Sequence, residues 1–379
     1  MRTRFSIAAI SLLVAACTDA GAPPAAPRAE GRRAGDDGTG GVYTLTNGAA
    51  GNAVIAFRRA ADGSLTPAGT HPTGGLGTGG TIDPLVSQYA LILSDDNRLL
   101  FAVNAGSDQV SAFRVGRDAR LELASVAASG GDFPVSLAVH GNLLYVLNAG
   151  DNTLSALRAV PSGELVQIPN STRPLAAGAA GAAAVRFTPD GRYLVVAERV
   201  SARLEVFPVL PNGRLGDPVV TPSNGPAPFG FDVTPRNQPI VSEAANSAVS
   251  SYDLLSTGAL AVATGSLGTQ GRAACWLILT EDGGTGYVIN AGTGTVTGVS
   301  VSASGALALL DANGITGETG TGSTPLDPDF SEGDEYLYVL EAGTGTIGAF
   351  AVNADGSLAP RPDTPAGAPA SGLQGMAAY

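Results

Sequence analysis

The 379-residue chain has no lysine, two cysteines, two histidines and one tryptophan. Without lysine there is no phosphate-binding glycine loop that ends on Lys. There is also no Gly-x-Ser-x-Gly elbow, no His-Glu-x-x-His and no Cys-x-x-Cys-His. The common serine-hydrolase, zinc and haem chemistries are therefore unsupported. Basic residues are scarce as well, 21 against 33 acidic. That balance repels nucleic acid and anionic lipid surfaces, so no nucleic-acid partner is expected.

Long apolar runs are missing except at the start. Arg2 and Arg4 precede an apolar stretch from Phe5 to Ala16, which is too short to span a bilayer as a permanent helix and reads as a secretory signal. Val14-Ala15-Ala16 stands directly before Cys17, so the segment resembles the lipobox of bacterial lipoproteins, in which the cysteine becomes the acylated first residue. Each buried methylene contributes about 0.8 kcal/mol, so several acyl chains anchor stably where one does not. The alternative is an ordinary signal peptide with a coincidental cysteine. Lipidation at Cys17 would leave Cys275 without an internal disulfide partner. Loss of Arg2 and Arg4 leaves 19 basic against 33 acidic residues, a net charge near −14. Residues 1–16 are thus expected to be the signal. Residues 17–41, small, polar and without apolar periodicity, are expected to form a tether. Residues 42–379 are expected to form one large domain, monomeric and exported to the cell envelope, in the periplasm or at the outer membrane.

That domain carries one pattern seven times. An apolar strand ends in Asn or Glu, an aliphatic residue follows six positions on, an aromatic or aliphatic residue three further, and a Gly-x-Leu turn six beyond. Clear copies run from Asn148 through Leu154, Leu157 and Gly163 to Leu165, and from Glu198 through Leu204, Phe207 and Gly213 to Leu215. Others begin at Asn104, Glu243, Asn290 and Glu341, and the first copy departs, with Thr46 in that place and two extra residues in the turn. Short Val-, Tyr- and Leu-rich runs alternate with Gly, Asn, Asp and Pro clusters, as antiparallel strands and tight turns require. A further apolar strand precedes most copies, as at Tyr89 to Leu93, Val135 to Val139 and Trp276 to Leu279. Four strands in about 48 residues match the blade of a propeller, and seven copies predict an all-β, seven-bladed β-propeller. The chain enters on a second strand at Val42, and Gly372 to Tyr379 supplies the missing first strand, closing the ring and removing a free sheet edge.

Tyr145-Val146-Leu147-Asn148, Tyr287-Val288-Ile289-Asn290 and Thr188-Pro189-Asp190-Gly191-Arg192-Tyr193 resemble the repeat of the lactonase-type seven-bladed propellers, the group of 6-phosphogluconolactonase-like and carboxymuconate cyclase-like proteins. The resemblance implies a small lactone in the central funnel, opened or closed by His, Arg and Glu side chains. Neither His71 nor His140 starts an innermost strand, so no catalytic histidine is carried over.

In a propeller the innermost strand starts and the second strand ends on one face. Asn104, Asn148, Glu198, Glu243, Asn290 and Glu341 are therefore expected to ring one mouth of the channel as ligand-binding groups. Glu198 and Glu243 lie in adjacent blades, and Arg199 follows the first. The pair would divide acid and base roles while the guanidinium holds an oxyanion; the alternative is that each Glu only terminates a strand. Trp276 begins an innermost strand and would wall the funnel, or sit in the core. Asp327 and Asp329 precede the last blade, where a hard cation, Ca²⁺ or Mg²⁺, would be expected if they bind a metal; no cofactor is otherwise required. Fold does not imply function, so a non-catalytic propeller that binds a ligand or a protein partner stands beside the lactonase-like hydrolase.

Overall fold

The computed structural model describes residues 39–368 and 371–379. The signal, Cys17 and most of the tether lie outside the described residues. From Gly40 onward the chain forms seven antiparallel sheets, five of four strands and two that gain a short fifth strand, Arg173–Pro174 or Gly317–Glu318. In blades 2 to 7 the innermost strands are Leu91–Leu93, Pro134–His140, Ala182–Phe187, Pro228–Val233, Ala274–Leu279 and Pro325–Phe330. Each packs beside the innermost strand of the next blade, and the circuit returns through Gln374–Ala378 to blade 2. That last strand pairs with Gly40–Leu45, placing Val42 opposite Ala378 and Thr44 opposite Met376. The ring is a seven-bladed propeller closed by its C-terminal strand, with the break in the chain buried inside one sheet.

The repeat residues explain how blades dock. The glycine of the Gly-x-Leu turn adopts positive φ in six blades, as at Gly213 (φ 75) and Gly356 (φ 80). This turns its carbonyl toward the preceding blade, where the tyrosine of the strand core donates to it. Tyr145 reaches Gly213 at 2.7 Å, Tyr287 reaches Gly356 at 2.8 Å, and Tyr338 of blade 7 reaches Gly63 of blade 1 at 2.8 Å. All three rings are fully buried, so each hydroxyl needs a partner there. Blade 2 lacks the glycine, and Ala119 takes the same left-handed backbone at φ 58.

The innermost strands have a second requirement, since one edge of each faces the channel with no strand beside it. Side chains of the neighbouring blade supply the partners. Ser136 Oγ accepts the Val185 N–H, and Asp232 Oδ2 accepts that of Leu279. Asp327 Oδ2 accepts the N–H of Gly375 at 3.0 Å, and Asp329 Oδ2 accepts that of Ala378 at 2.8 Å. The closing strand is thus held by blade 1 through a ladder and by blade 7 through two carboxylates. Removal of residues 370–379 should therefore lower the melting temperature of the whole ring in one cooperative transition, read by calorimetry; a truncated chain that melts with the intact one would contradict this closure.

Candidate functional site

The six Asn and Glu positions do end their strands near one mouth, but they do not open into it. All are buried, with exposures of 0 or 1%. Each ties its own hairpin through a residue five or seven positions on. Asn290 Nδ2 donates to Thr295 at 3.2 Å and Thr297 at 2.8 Å, while Asn148 does the same to Thr153 and Ser155. Asn104 Nδ2 donates to Ser111 at 2.7 Å, and its Oδ1 accepts from Thr73 and Asn52. Glu243 accepts from Ser250, Ser266 and Asn246, and Glu341 from Thr346. The expectation of a polar ring lining the funnel is corrected by this geometry, because all six side chains are sealed from solvent and turned to their own hairpins, with Asn148 Oδ1 and Glu341 Oε1 left unpaired inside.

Glu198 shows the most demanding version. The residue seven positions on is Glu205 instead of a hydroxyl, so two carboxylates share one site, and Arg203, five positions on, lies between them at 3.0 and 2.9 Å. Glu198 also accepts from Ser201 and from the Ala180 N–H, and Glu205 accepts the Ala176 N–H. Burial and the neighbouring Glu198 push the Glu205 carboxyl up to about 8. The carboxylate next to Glu198 is thus Glu205 of the same blade, and the proposed pairing with Glu243 finds no contact among the described residues.

Trp276 is also in the core: its Nε1 donates to the Ser87 carbonyl at 3.0 Å, and its ring meets Phe229 edge-on at 5.2 Å. Asp327 and Asp329 are committed to the closing strand, and Gln374 Nε2 donates to Asp327 as well. That arrangement does not fit the oxygen-rich cage that Ca²⁺ or Mg²⁺ needs. Among the described residues no group of three or more His, Cys, Asp or Glu side chains is placed to hold a metal.

Arg199 is different, because it has chemistry to spare. Its Nε is buried without a hydrogen-bond partner, and it forms no ion pair among the described residues. It leaves the strand Tyr193–Glu198 at the mouth where the innermost strands begin, with its N–H bonded to the Gly181 carbonyl. Across this mouth runs the segment between blades 1 and 2. Gly372 donates to the Thr81 carbonyl, Gln88 N–H to the Ala183 carbonyl, and Ser87 Oγ to the Val135 carbonyl. The Gln88 amide pairs both ways with the Leu277 backbone, and the Tyr89 hydroxyl reaches the Phe231 carbonyl at 2.9 Å. Asp83, Val86 and Tyr89 stand at φ 48, 51 and 69, a costly backbone for a β-branched valine, held by those cross-ring bonds. Tyr89 is therefore not a strand residue, and the expected strand shortens to Leu91–Leu93.

This crossing segment brings Asp83 to the mouth, a residue the sequence did not single out. Burial and the neighbouring Asp327 carboxyl push it up to about 8. Asp83 and Arg199 both act on the Cys275 thiol, one raising and one lowering its pKa, while burial dominates and pushes it up to about 12. Cys275 thus stays a protonated thiol. Gln374 Oε1, at the start of the closing strand, is buried without a partner. Near this mouth lie Arg199 with its unpartnered Nε, the Asp83 carboxyl raised to about 8, and, sealed beneath them, the Gln374 amide.

A ring of seven four-stranded blades closed in this way defines a seven-bladed propeller. The chain belongs to the family described as lactonase, 7-bladed beta-propeller, which matches residues 42–173 and 162–260. It is 28% identical over 123 residues to the 6-phosphogluconolactonase of Photorhabdus laumondii, covering 31% of this chain and 38% of that protein. The Yersinia pestis (strain Pestoides F) 6-phosphogluconolactonase is 24% identical over 160 residues, 40% of this chain and 48% of that one. The chain spans less than half the length of these relatives. In three dimensions it is similar to the Pseudomonas aeruginosa periplasmic gluconolactonase, with a TM-score of 0.69 and 20% identity over 89% of this chain and 98% of the other, a likeness of fold.

The buried Glu198–Arg203–Glu205 cluster yields a stability prediction. Arg203→Gln strands two buried carboxylates and should cost about 3–5 kcal/mol in denaturant unfolding. Adding Glu198→Gln and Glu205→Gln should recover most of that loss, and a single variant as stable as the parent would contradict the arrangement.

Proposed function

We propose that this protein is an exported, lipid-anchored hydrolase that opens a small lactone at the mouth formed by Asp83 and Arg199. The observation that carries the reading is the half-buried Arg199, whose Nε is sealed from solvent without a hydrogen-bond partner, a position that an anion or a developing oxyanion would complete. Family membership supports the reaction class, and the lipobox-like Val14-Ala15-Ala16-Cys17 supports export.

The chemistry follows from the two charges. Asp83, as carboxylate, takes a proton from a water molecule whose oxygen attacks the lactone carbonyl carbon. The C=O π bond opens, and Arg199 stabilises the oxyanion. Collapse restores the carbonyl and breaks the ring C–O bond, while Asp83 returns its proton to the departing alkoxide. The product is the open hydroxy acid, and Asp83 is regenerated. Glu198 acts at one remove, fixing with Arg203 and Ser201 the strand end from which Arg199 projects. Exposed Ile82, Val86 and Val200, the last 61% exposed, are sequence neighbours of the two groups and favour a lactone with an apolar substituent over a phosphorylated sugar.

On a panel of alkyl-, aryl- and sugar-derived lactones, kcat/KM should rise with pH and level off above about 8, the value to which Asp83 is raised, because the base acts only once ionised. Asp83→Asn should remove that limb and lose about 10²-fold or more, and Arg199→Ala should lose about 10²–10³-fold. Absence of turnover on every lactone would turn the reading to a ligand-binding propeller. For localisation, the wild-type chain should partition with membranes and Cys17→Ser should be recovered in the soluble fraction; equal partitioning would reject the lipid anchor.

A further inference from the structure

The opposite mouth, where the innermost strands end, holds a separate cavity of about 390 Å³ at the ends of blades 2 to 5. It lies inside the range of about 300–1,000 Å³ in which small-molecule sites fall. Leu93, Val139, Phe187 and Val233 form the apolar part of its wall, the accessible lining as a whole is more polar than apolar, and its polar groups are Arg186, Asp232, His140, Asp95 and Thr188.

The balance of spent and unspent hydrogen-bonding capacity decides what fits. Asp232 is spent: Oδ1 accepts Arg186 Nε at 3.0 Å and the Val233 N–H, and Oδ2 accepts the Leu279 N–H. Asp95 Oδ2 accepts the Gly141 N–H at 2.8 Å. Arg186 is half spent. Its Nε is fixed by Asp232 and its face lies 4.5 Å over the Tyr89 ring, yet its two Nη groups have no hydrogen bond among the described residues, and 37% of the side chain is exposed. A planar fork held on one edge and stacked on one face offers its remaining edge in a fixed direction, the geometry that suits a carboxylate bound through two parallel N–H bonds. His140, the last residue of Pro134–His140, packs its ring on Phe187 at 5.7 Å and against the backbone of Gly191, where any side chain would collide with it. Its ring nitrogens have no hydrogen-bond partner among the described residues, and the imidazole lines the same cavity as Arg186.

We propose that this cavity is a second binding site, distinct from the Asp83–Arg199 mouth, for a small carboxylate with an apolar or flat body. The Arg186 Nη edge grips the carboxylate, with His140 beside it, and the body lies against Leu93, Val139, Phe187 and Val233. This inference does not depend on the lactonase reading, since it uses other residues on the other face.

Titration calorimetry on the full chain tests it, with benzoate and hexanoate as aryl and alkyl carboxylates, gluconate as a polyhydroxy acid and benzamide as a neutral control. Benzoate or hexanoate should bind, and benzamide and gluconate should bind at least tenfold more weakly. Arg186→Gln should weaken binding at least tenfold. Because Arg186 also supports the interior, Val139→Trp, which fills the cavity from a half-buried position, and His140→Ala, which removes an exposed ring, provide independent checks. Each should weaken binding with the melting temperature retained. Arg199→Ala should leave the affinity unchanged. The proposal is overturned if neither benzoate nor hexanoate binds at millimolar concentration, if benzamide binds as well as benzoate, or if Val139→Trp binds like the parent. Loss of binding in Arg199→Ala alone would place the ligand at the other mouth and equally reject this site.

Discussion

Seven sheets arranged around an axis leave seven inner edges, and the way their backbone groups are satisfied governs the rest of this molecule. A strand edge in a dry interior cannot be left to solvent. Here blades 3, 5 and 7 lend side chains to the next: Ser136 to Val185, Ser242 to the Cys275 carbonyl, Asp232 to Leu279, Asp327 and Asp329 to the closing strand. The solution draws acids into the core, and burial accordingly raises Asp327 and Asp329 to about 7. Perturbed carboxyls are thus common in this ring for structural reasons, and perturbation alone does not mark the chemistry.

What marks a site in such an interior is capacity left over. Asn104, Asn290, Glu198 and Glu243 have polar atoms committed to their own hairpins or to neighbouring turns, while Asn148 Oδ1 and Glu341 Oε1 are unpaired but sealed from solvent. Arg199 is buried and unpaired at Nε, Gln374 keeps a free amide oxygen, and Arg186 keeps an unused edge toward a cavity. The same accounting separates the two carboxyl classes: Glu198 has Arg203 and Ser201 at its oxygens, whereas Asp83 has backbone N–H groups of its own turn, the Gln374 amide and the like-charged Asp327 beside it, and no cation.

Fold and closure were legible in the sequence because every repeat solves one packing problem with the same residues, so the Tyr core, the Gly-x-Leu turn and the unmatched Gly372 to Tyr379 segment stand out by recurrence. The Asn/Glu position was legible as a position and misread in role. The hydroxyls seven residues on, Ser111, Ser155, Ser250 and Thr297, were the signal that it is a hairpin tie, and Glu205 in that place showed that Glu198 would need a cation, which Arg203 supplies. Arg199 was identified from its place after Glu198. Asp83 was not, since the stretch between blades 1 and 2 has no periodicity and its path is fixed by bonds to blades far away in sequence. His140 was set aside as a turn residue because the end of a short strand is poorly defined by pattern alone, and one added residue moves it to the wall of a cavity.

The crossing segment has a consequence for the shape of the interior. Asp83 stands at one mouth, and Tyr89, six residues later, lies beneath Arg186 at the other, with Ser87 and Gln88 bonded across the ring between them. The centre of this propeller is crossed by its own chain, which acts as an axle tied to several blades. Its two faces are the ends of one hydrogen-bonded rod, each with its own chemistry.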